Sequence, residues 1–141
     1  MKGSKKCISQ LKKYNIKTSI ISAGLDILAK KVAKDLSIDY VYANVLITDE
    51  NGILNGESIV NVELKNKNKN VFNISNKLGI PLENIAAVGN SCFDIPMLNN
   101  CGIGIAFNPD DECIQNIADI VIIDKDLCKI IKPMKNFIKK S

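Results

Sequence analysis

Two short runs in this 141-residue chain put reactive groups where a strand gives way to a helix. The first is Ser22-Ala23-Gly24, directly after the apolar run TSII. A hydroxyl followed by glycine at a helix start offers an O–H and backbone N–H groups to an anion, and the helix dipole adds to the attraction. Ser22 is therefore a candidate phosphate contact, although a serine in that place also serves as a plain N-cap. The second run is Gly89-Asn90-Ser91-Cys92-Phe93-Asp94, after IAAV. Its tight turn lets two oxygen-bearing side chains, Asn90 and Asp94, converge on one point, which suits a hard cation such as magnesium. Asp94 equally suits a helix cap.

The elements that must position these runs follow from apolar spacing. A helix is predicted over Ser4 to Tyr14, with Ile8 and Leu11 inward, ahead of the strand TSII. From Leu25 the positions Leu25, Leu28, Ala29, Val32, Ala33 and Leu36 keep helical spacing and predict an amphipathic helix packed on a sheet. Ile38 to Ile47 reads as strand, and Asp49-Glu50-Asn51-Gly52 is a turn leading into ILNGE, which makes a small hairpin. The polar stretch 65–70 opens a helix carried by Val71, Ile74 and Leu78 and closed by Gly79. IAAV, GIGIAF and DIVII are strands, separated by helices at IPMLNN and PDDECIQNIA, with a lysine-rich helix closing the chain from Leu127. Strands apolar on both faces, alternating with helices, predict an α/β layer with a mostly parallel sheet in a single domain over residues 1–141. In an open parallel sheet, ligands sit beyond the carboxyl ends of strands, where both runs lie.

Composition excludes several chemistries. With no histidine, the chain offers neither Ser-His-Asp nor Cys-His catalysis, nor a His-ligated zinc. The basic residues are all lysines, so bidentate guanidinium clamps on phosphate are also absent. A net charge of +4, with lysines spread along the chain and no reader motif, predicts no nucleic-acid partner. No apolar run approaches the roughly 20 residues of a spanning helix. The basic N-terminus lacks a signal-peptide pattern, so residence in the cytoplasm without a membrane partner is the expectation. Five cysteines, odd in number and without a CxxC pair, read as buried thiols rather than as a disulfide framework or zinc knuckle.

The order of the pieces TSIISAGLDILAKKVAKDLSIDYVYANVL, NGILNGE, LKNKNK, GIPLENIAAVGNSCFDIPMLNNCGIGIAFNP and IADIVIIDKDL resembles the haloacid dehalogenase superfamily. Within it, the match is to the phosphoserine phosphatase kind, from its second motif to its end. The resemblance implies a Rossmann-like core and magnesium-dependent hydrolysis of a phosphorylated small molecule, with phosphoserine as the associative guess. It implies phosphate binding by Ser22, Ala23 and Gly24. It also implies a lysine that neutralises the phosphoryl charge, best matched by Lys67, with Lys65 and Lys69 competing. In the fourth motif, Asn90 stands where the metal-binding aspartate belongs and Phe93 where an asparagine is usual, while Asp94 keeps the second acid. Asn90 and Asp94 are thus the implied metal ligands, in a site weakened by the loss of one charge.

The family's first motif is an Asp-x-Asp pair at the end of a first strand, its leading aspartate attacking phosphorus. No first strand bearing it precedes TSII in residues 1–141, and the helical cap that follows it in the family is missing with it. That strand lies in the family between the strands read here as TSII and IAAV. Its absence predicts either unpaired edges at the centre or closure of the two flanking strands on each other. The expectation is a chain inactive alone and completed by a complementing polypeptide, as half of a split phosphatase, or by a homodimer. The alternative is a non-catalytic subunit that binds a phosphorylated ligand or a protein.

Overall fold

Alternation along one strand organises the interior. Ile105 and Phe107 of β5 (Ile103–Phe107) pack with Cys7, Ile8, Leu11, Ile130, Ile131 and Met134, while Ala106 between them packs with Val71, Ala87, Met97, Leu98 and Ile114. Successive side chains of a strand point to opposite faces, so a strand that is apolar throughout needs a helical layer on each side. The computed structural model, which describes residues 1–138, supplies both layers. On one face lie α1 (Ser4–Lys13) and α6 (Ile131–Ile138). The other carries α3 (Asn68–Leu78), α4 (Ile95–Leu98) and α5 (Glu112–Ile117).

The remaining elements are β1 (Ser19–Leu25), α2 (Asp26–Leu36), β2 (Tyr40–Thr48), β3 (Leu54–Ile59), β4 (Ala86–Gly89) and β6 (Ile120–Ile122). They form two sheets, β1-β2-β3 and β4-β5-β6. The pairs β1/β2, β4/β5 and β5/β6 are parallel, and the hairpin β2/β3 is antiparallel. Of the two outcomes predicted for the centre, the first is realised: β1 and β4 do not pair. Between them runs a cavity of about 610 Å³ lined by Ile20 and Ile21 of β1 and Ala86, Ala87 and Val88 of β4. Its floor and roof are Ile8 and Leu11 on one side and Val71, Ile74 and Met97 on the other.

Three expectations change. Ser22-Ala23-Gly24, expected after the strand and at the helix start, instead continues β1 through an irregularity in register between Ile21 and Leu25. The inward face of α2 is Asp26, Ala29 and Ala33, whereas Leu25, Leu28 and Val32 are exposed, Leu28 by 66%. Helical spacing marks an apolar stripe without saying which flank of it meets the sheet. Finally, Cys92 and Cys113 are paired as a disulfide with Cα atoms 5.8 Å apart, while Cys7, Cys101 and Cys128 are free thiols. The turn after β4 folds onto the start of α5, bringing together cysteines 21 positions apart. The lysine-rich end of the closing helix, residues 139–141, lies outside the described residues.

The start of β1 is tied to the loop before β2 by Asp39. One of its oxygens accepts from the Thr18 N–H and hydroxyl, each at 2.8 Å, and Lys12 stands 3.7 Å from the other. Burial pushes the Asp39 carboxyl up, but the Thr18 hydrogen bonds with the Lys12 and Lys17 charges outweigh it, and its pKa is lowered. A lowered carboxylate pKa stabilises the fold above the ordinary value of about 3.9 and gives up that contribution as pH falls below it. Urea melts should show Asp39→Asn less stable than the parent near neutral pH. The difference should shrink as pH falls below about 4.

Candidate functional site

Asp94 is buried, with 5% of its surface exposed, yet carries a carboxylate, so every lone pair needs a partner. Oδ1 receives the Lys67 ammonium at 2.6 Å, and Oδ2 accepts from the backbone N–H groups of Asn90 at 3.0 Å and Ser91 at 3.3 Å. Gly89 makes this possible. A Cβ there would meet the Asp94 Cγ and Oδ2 at 2.7 Å, so only glycine lets the strand end close over the acid. The Ser91 side chain completes a reciprocal capping box with Asp94, so the cap and ion-pair roles coexist in one carboxylate.

Lys67 sits just ahead of α3 and is itself nearly covered, its side chain 12% exposed. Among the three competing lysines, geometry separates them. Lys69 pairs with Glu63 at 2.7 Å on the surface, and Lys65 is exposed. Lys67 is the one that meets the turn after β4.

The segment before Lys67 is held against β1 by asparagines that sequence reasoning passed over. Asn44, within the otherwise apolar β2, donates to the Ala23 carbonyl at 2.9 Å and the Val62 carbonyl at 3.2 Å. Its Oδ1 accepts from the Asn61 and Val62 N–H groups at 2.9 and 2.8 Å. Asn61 donates to the Ala43 carbonyl at 3.0 Å, and buried Asn70 of α3 donates to the Asn61 carbonyl at 3.0 Å. This relay fixes Ala23 relative to the helix that carries Lys67. A polar residue inside an apolar strand, and an asparagine on the inward face of a helix, were the signals that could have found it.

Ser22 does not cap α2, whose N-cap is Leu25 without a side-chain bond. Instead the Ser22 Oγ accepts from the Gly24 N–H at 3.1 Å, which leaves the hydroxyl proton to donate and commits the Gly24 amide internally. Asn90 is exposed; its Nδ2 donates to Asp110 Oδ2 at 2.5 Å, leaving a neutral amide oxygen. With both Asp94 oxygens engaged, the implied metal pair Asn90 and Asp94 does not fit a magnesium ion, which wants near-octahedral oxygen and carboxylate charge. Asp94 positions Lys67 rather than presenting itself as a ligand, because burial makes the ammonium its necessary counter-charge.

One Asp-x-Asp run does occur, Asp124-Lys125-Asp126, just past β6 at the far edge of its sheet. Asp124 lies 3.7 Å from Lys129 and accepts from the Asp126 N–H, and Asp126 accepts from the Cys128 N–H at 2.9 Å. These are capping bonds two strands away from β4, and no nucleophile follows from them.

A family model described as haloacid dehalogenase-like hydrolase matches residues 1–99. The phosphoserine phosphatase of Lactococcus lactis is 40% identical over 109 residues, covering 75% of this chain and 49% of that protein. That of Methanocaldococcus jannaschii is 34% identical over 134 residues, covering 94% and 63%. A solved phosphoserine phosphatase, titled a phospho-aspartyl intermediate analogue, superposes with a TM-score of 0.84 at 32% identity, covering 94% of this chain and 63% of that one. The chain thus spans about half of the first relative and just under two thirds of the others.

Removing the Lys67 charge leaves Asp94 buried against backbone donors alone. Lys67→Met should cost about 3–5 kcal/mol in urea denaturation, the usual range for stripping one partner from a buried pair. Lys69→Met, which breaks an exposed pair, should leave the midpoint nearly unchanged.

Proposed function

The chain belongs to the haloacid dehalogenase-like hydrolases and is phosphoserine phosphatase-like within them, and from that premise we propose that it is one half of a split phosphomonoesterase. A complementing polypeptide provides the Asp-x-Asp strand. What carries this reading is the cavity between β1 and β4. Two strand edges face it, and apolar side chains close it above and below, so an extended segment apolar on both faces fits there and satisfies both edges. Such a strand, parallel to its neighbours, ends near Gly89 and the continuation of β1.

In that assembly an incoming aspartate carboxylate attacks phosphorus. The carboxylate O–P bond forms as the ester P–O bond breaks, the leaving alkoxide takes a proton from the second acid of the incoming pair, and water then hydrolyses the acyl phosphate. This chain's part is positioning and charge. The Ser22 hydroxyl donates to a phosphoryl oxygen. The Lys67 ammonium gives one of its three N–H bonds to Asp94 and has two left for the phosphoryl group and the nucleophile. Asp94 holds that ammonium in place. Phosphoserine is the proposed substrate, from the relatives' activity.

A second reading, a non-catalytic subunit that binds a phosphorylated ligand or protein, is favoured by Asn90: its amide replaces a charged oxygen and is turned toward Asp110. The two readings separate experimentally. The purified chain should show no phosphatase turnover with magnesium and phosphoserine. Co-expression with a segment containing Asp-x-Asp-x-Thr/Val should yield a complex with turnover that Lys67→Ala abolishes. Activity of the chain alone that survives repurification and disappears in Lys67→Ala would overturn the split reading. A stable complex that never turns over would favour the binding subunit.

A further inference from the structure

The turn after β4 and the start of α5 together carry a set of ligand atoms that the phosphatase reading does not use. The Sγ atoms of Cys92 and Cys113 and a carboxylate oxygen of Asp111 all lie within 4.8 Å of one another. Hydrogen bonds besides the disulfide hold the two segments together. The Asp110 N–H donates to the Asn90 carbonyl at 2.8 Å, Asn90 Nδ2 donates to Asp110 Oδ2, and the Cys92 N–H donates to Asp111 Oδ2 at 3.2 Å. These three bonds clamp residues 110 and 111 onto residues 90–92, and α5 then presents Cys113 from its first turn. Cys92 and Cys113 are half-buried and Asp111 is exposed, so the cluster opens to solvent on its carboxylate side.

We propose that Cys92, Asp111 and Cys113 form a thiolate-based site for a thiophilic divalent cation such as zinc, open when the two cysteines are reduced and closed when they join as a disulfide. Two soft sulfur donors and one carboxylate, with a fourth position free to solvent, are a zinc-type set; magnesium requires a shell of oxygens that this cluster does not offer. The disulfide and the metal exclude each other because both use the same sulfur electrons. On oxidation each thiol loses its proton and a sulfur–sulfur bond forms. A low-molecular-weight disulfide such as glutathione disulfide accepts the two electrons and leaves as two thiols. The Cα separation of 5.8 Å lies inside the range a disulfide needs, so the exchange requires no backbone rearrangement. The other cysteines are poor competitors: burial pushes the Cys7 and Cys101 thiols up to about 11, and burial with the nearby Asp126 also raises Cys128.

The test uses the whole chain, reduced with a phosphine and titrated anaerobically with cobalt(II) as a spectroscopic stand-in for zinc. One cobalt per chain should bind with a sulfur-to-metal charge-transfer band. That band should vanish in Cys92→Ser and Cys113→Ser, persist in Cys101→Ser, and be absent after oxidation with glutathione disulfide. Asp111→Asn should weaken binding by at least the roughly tenfold that losing even an outer-shell partner costs. On the unmodified chain, zinc should protect Cys92 and Cys113 from maleimide, a reading that does not depend on any variant folding. No charge-transfer band, a band that survives Cys113→Ser, affinity unchanged in Asp111→Asn, or zinc protection of other cysteines would each overturn the proposal.

Discussion

A buried carboxylate with three donors organises the candidate site of this molecule. Asp94 accepts from two backbone N–H groups and from the Lys67 ammonium, so one side chain sets the shape of the turn after β4 and the position of the cation beside it. Neither partner is stable in that place without the other. An uncompensated charge removed from water costs several kcal/mol, far more than a surface pair such as Lys69 with Glu63 returns. Gly89 belongs to the same constraint, since any side chain there would displace the acid.

The second organising feature is the interruption between β1 and β4. Within each half-sheet the neighbouring strands are paired, but β1 and β4 are edge strands and the hydrogen-bonding that would join them stops at the cavity. The residues facing it are mostly aliphatic, with polar groups such as Lys17, Thr18, Ser19 and Asn84 also in its lining, which suits a largely apolar strand. The asparagine relay from Ala23 through Asn44, Asn61 and Asn70 couples the two halves at one end. The run 22–24 and Lys67 therefore keep their relation although the sheet between them is not continuous.

Residue order singles out Lys67, Ser22 and Asp94 as candidates from their places in a run of motifs, with Asp94 as a metal ligand, whereas its pairing with Lys67 is visible only in the fold. The alternation of strands and helices follows from apolar spacing that any packed α/β layer must show. The asparagine relay was not readable in this way, because Asn44 matters only through carbonyls and amides more than fifteen positions away. Nor was the exposed flank of α2. Leu28 and Ala29 share a helical stripe, and only the position of the sheet decides which of them is covered.

By itself, then, the sequence determined the elements, the family resemblance and the residue types at the ends of β1 and β4, since these depend on local spacing and side-chain chemistry. Tertiary structure decided three things that local spacing cannot carry. It set Asp94 against Lys67 rather than toward a metal, because burial demands the nearest counter-charge. It left β1 and β4 unpaired across an apolar cavity, because backbone pairing is a contact between distant segments. And it joined Cys92 to Cys113, because folding the turn after β4 onto α5 places side by side two sulfurs that the linear order keeps apart.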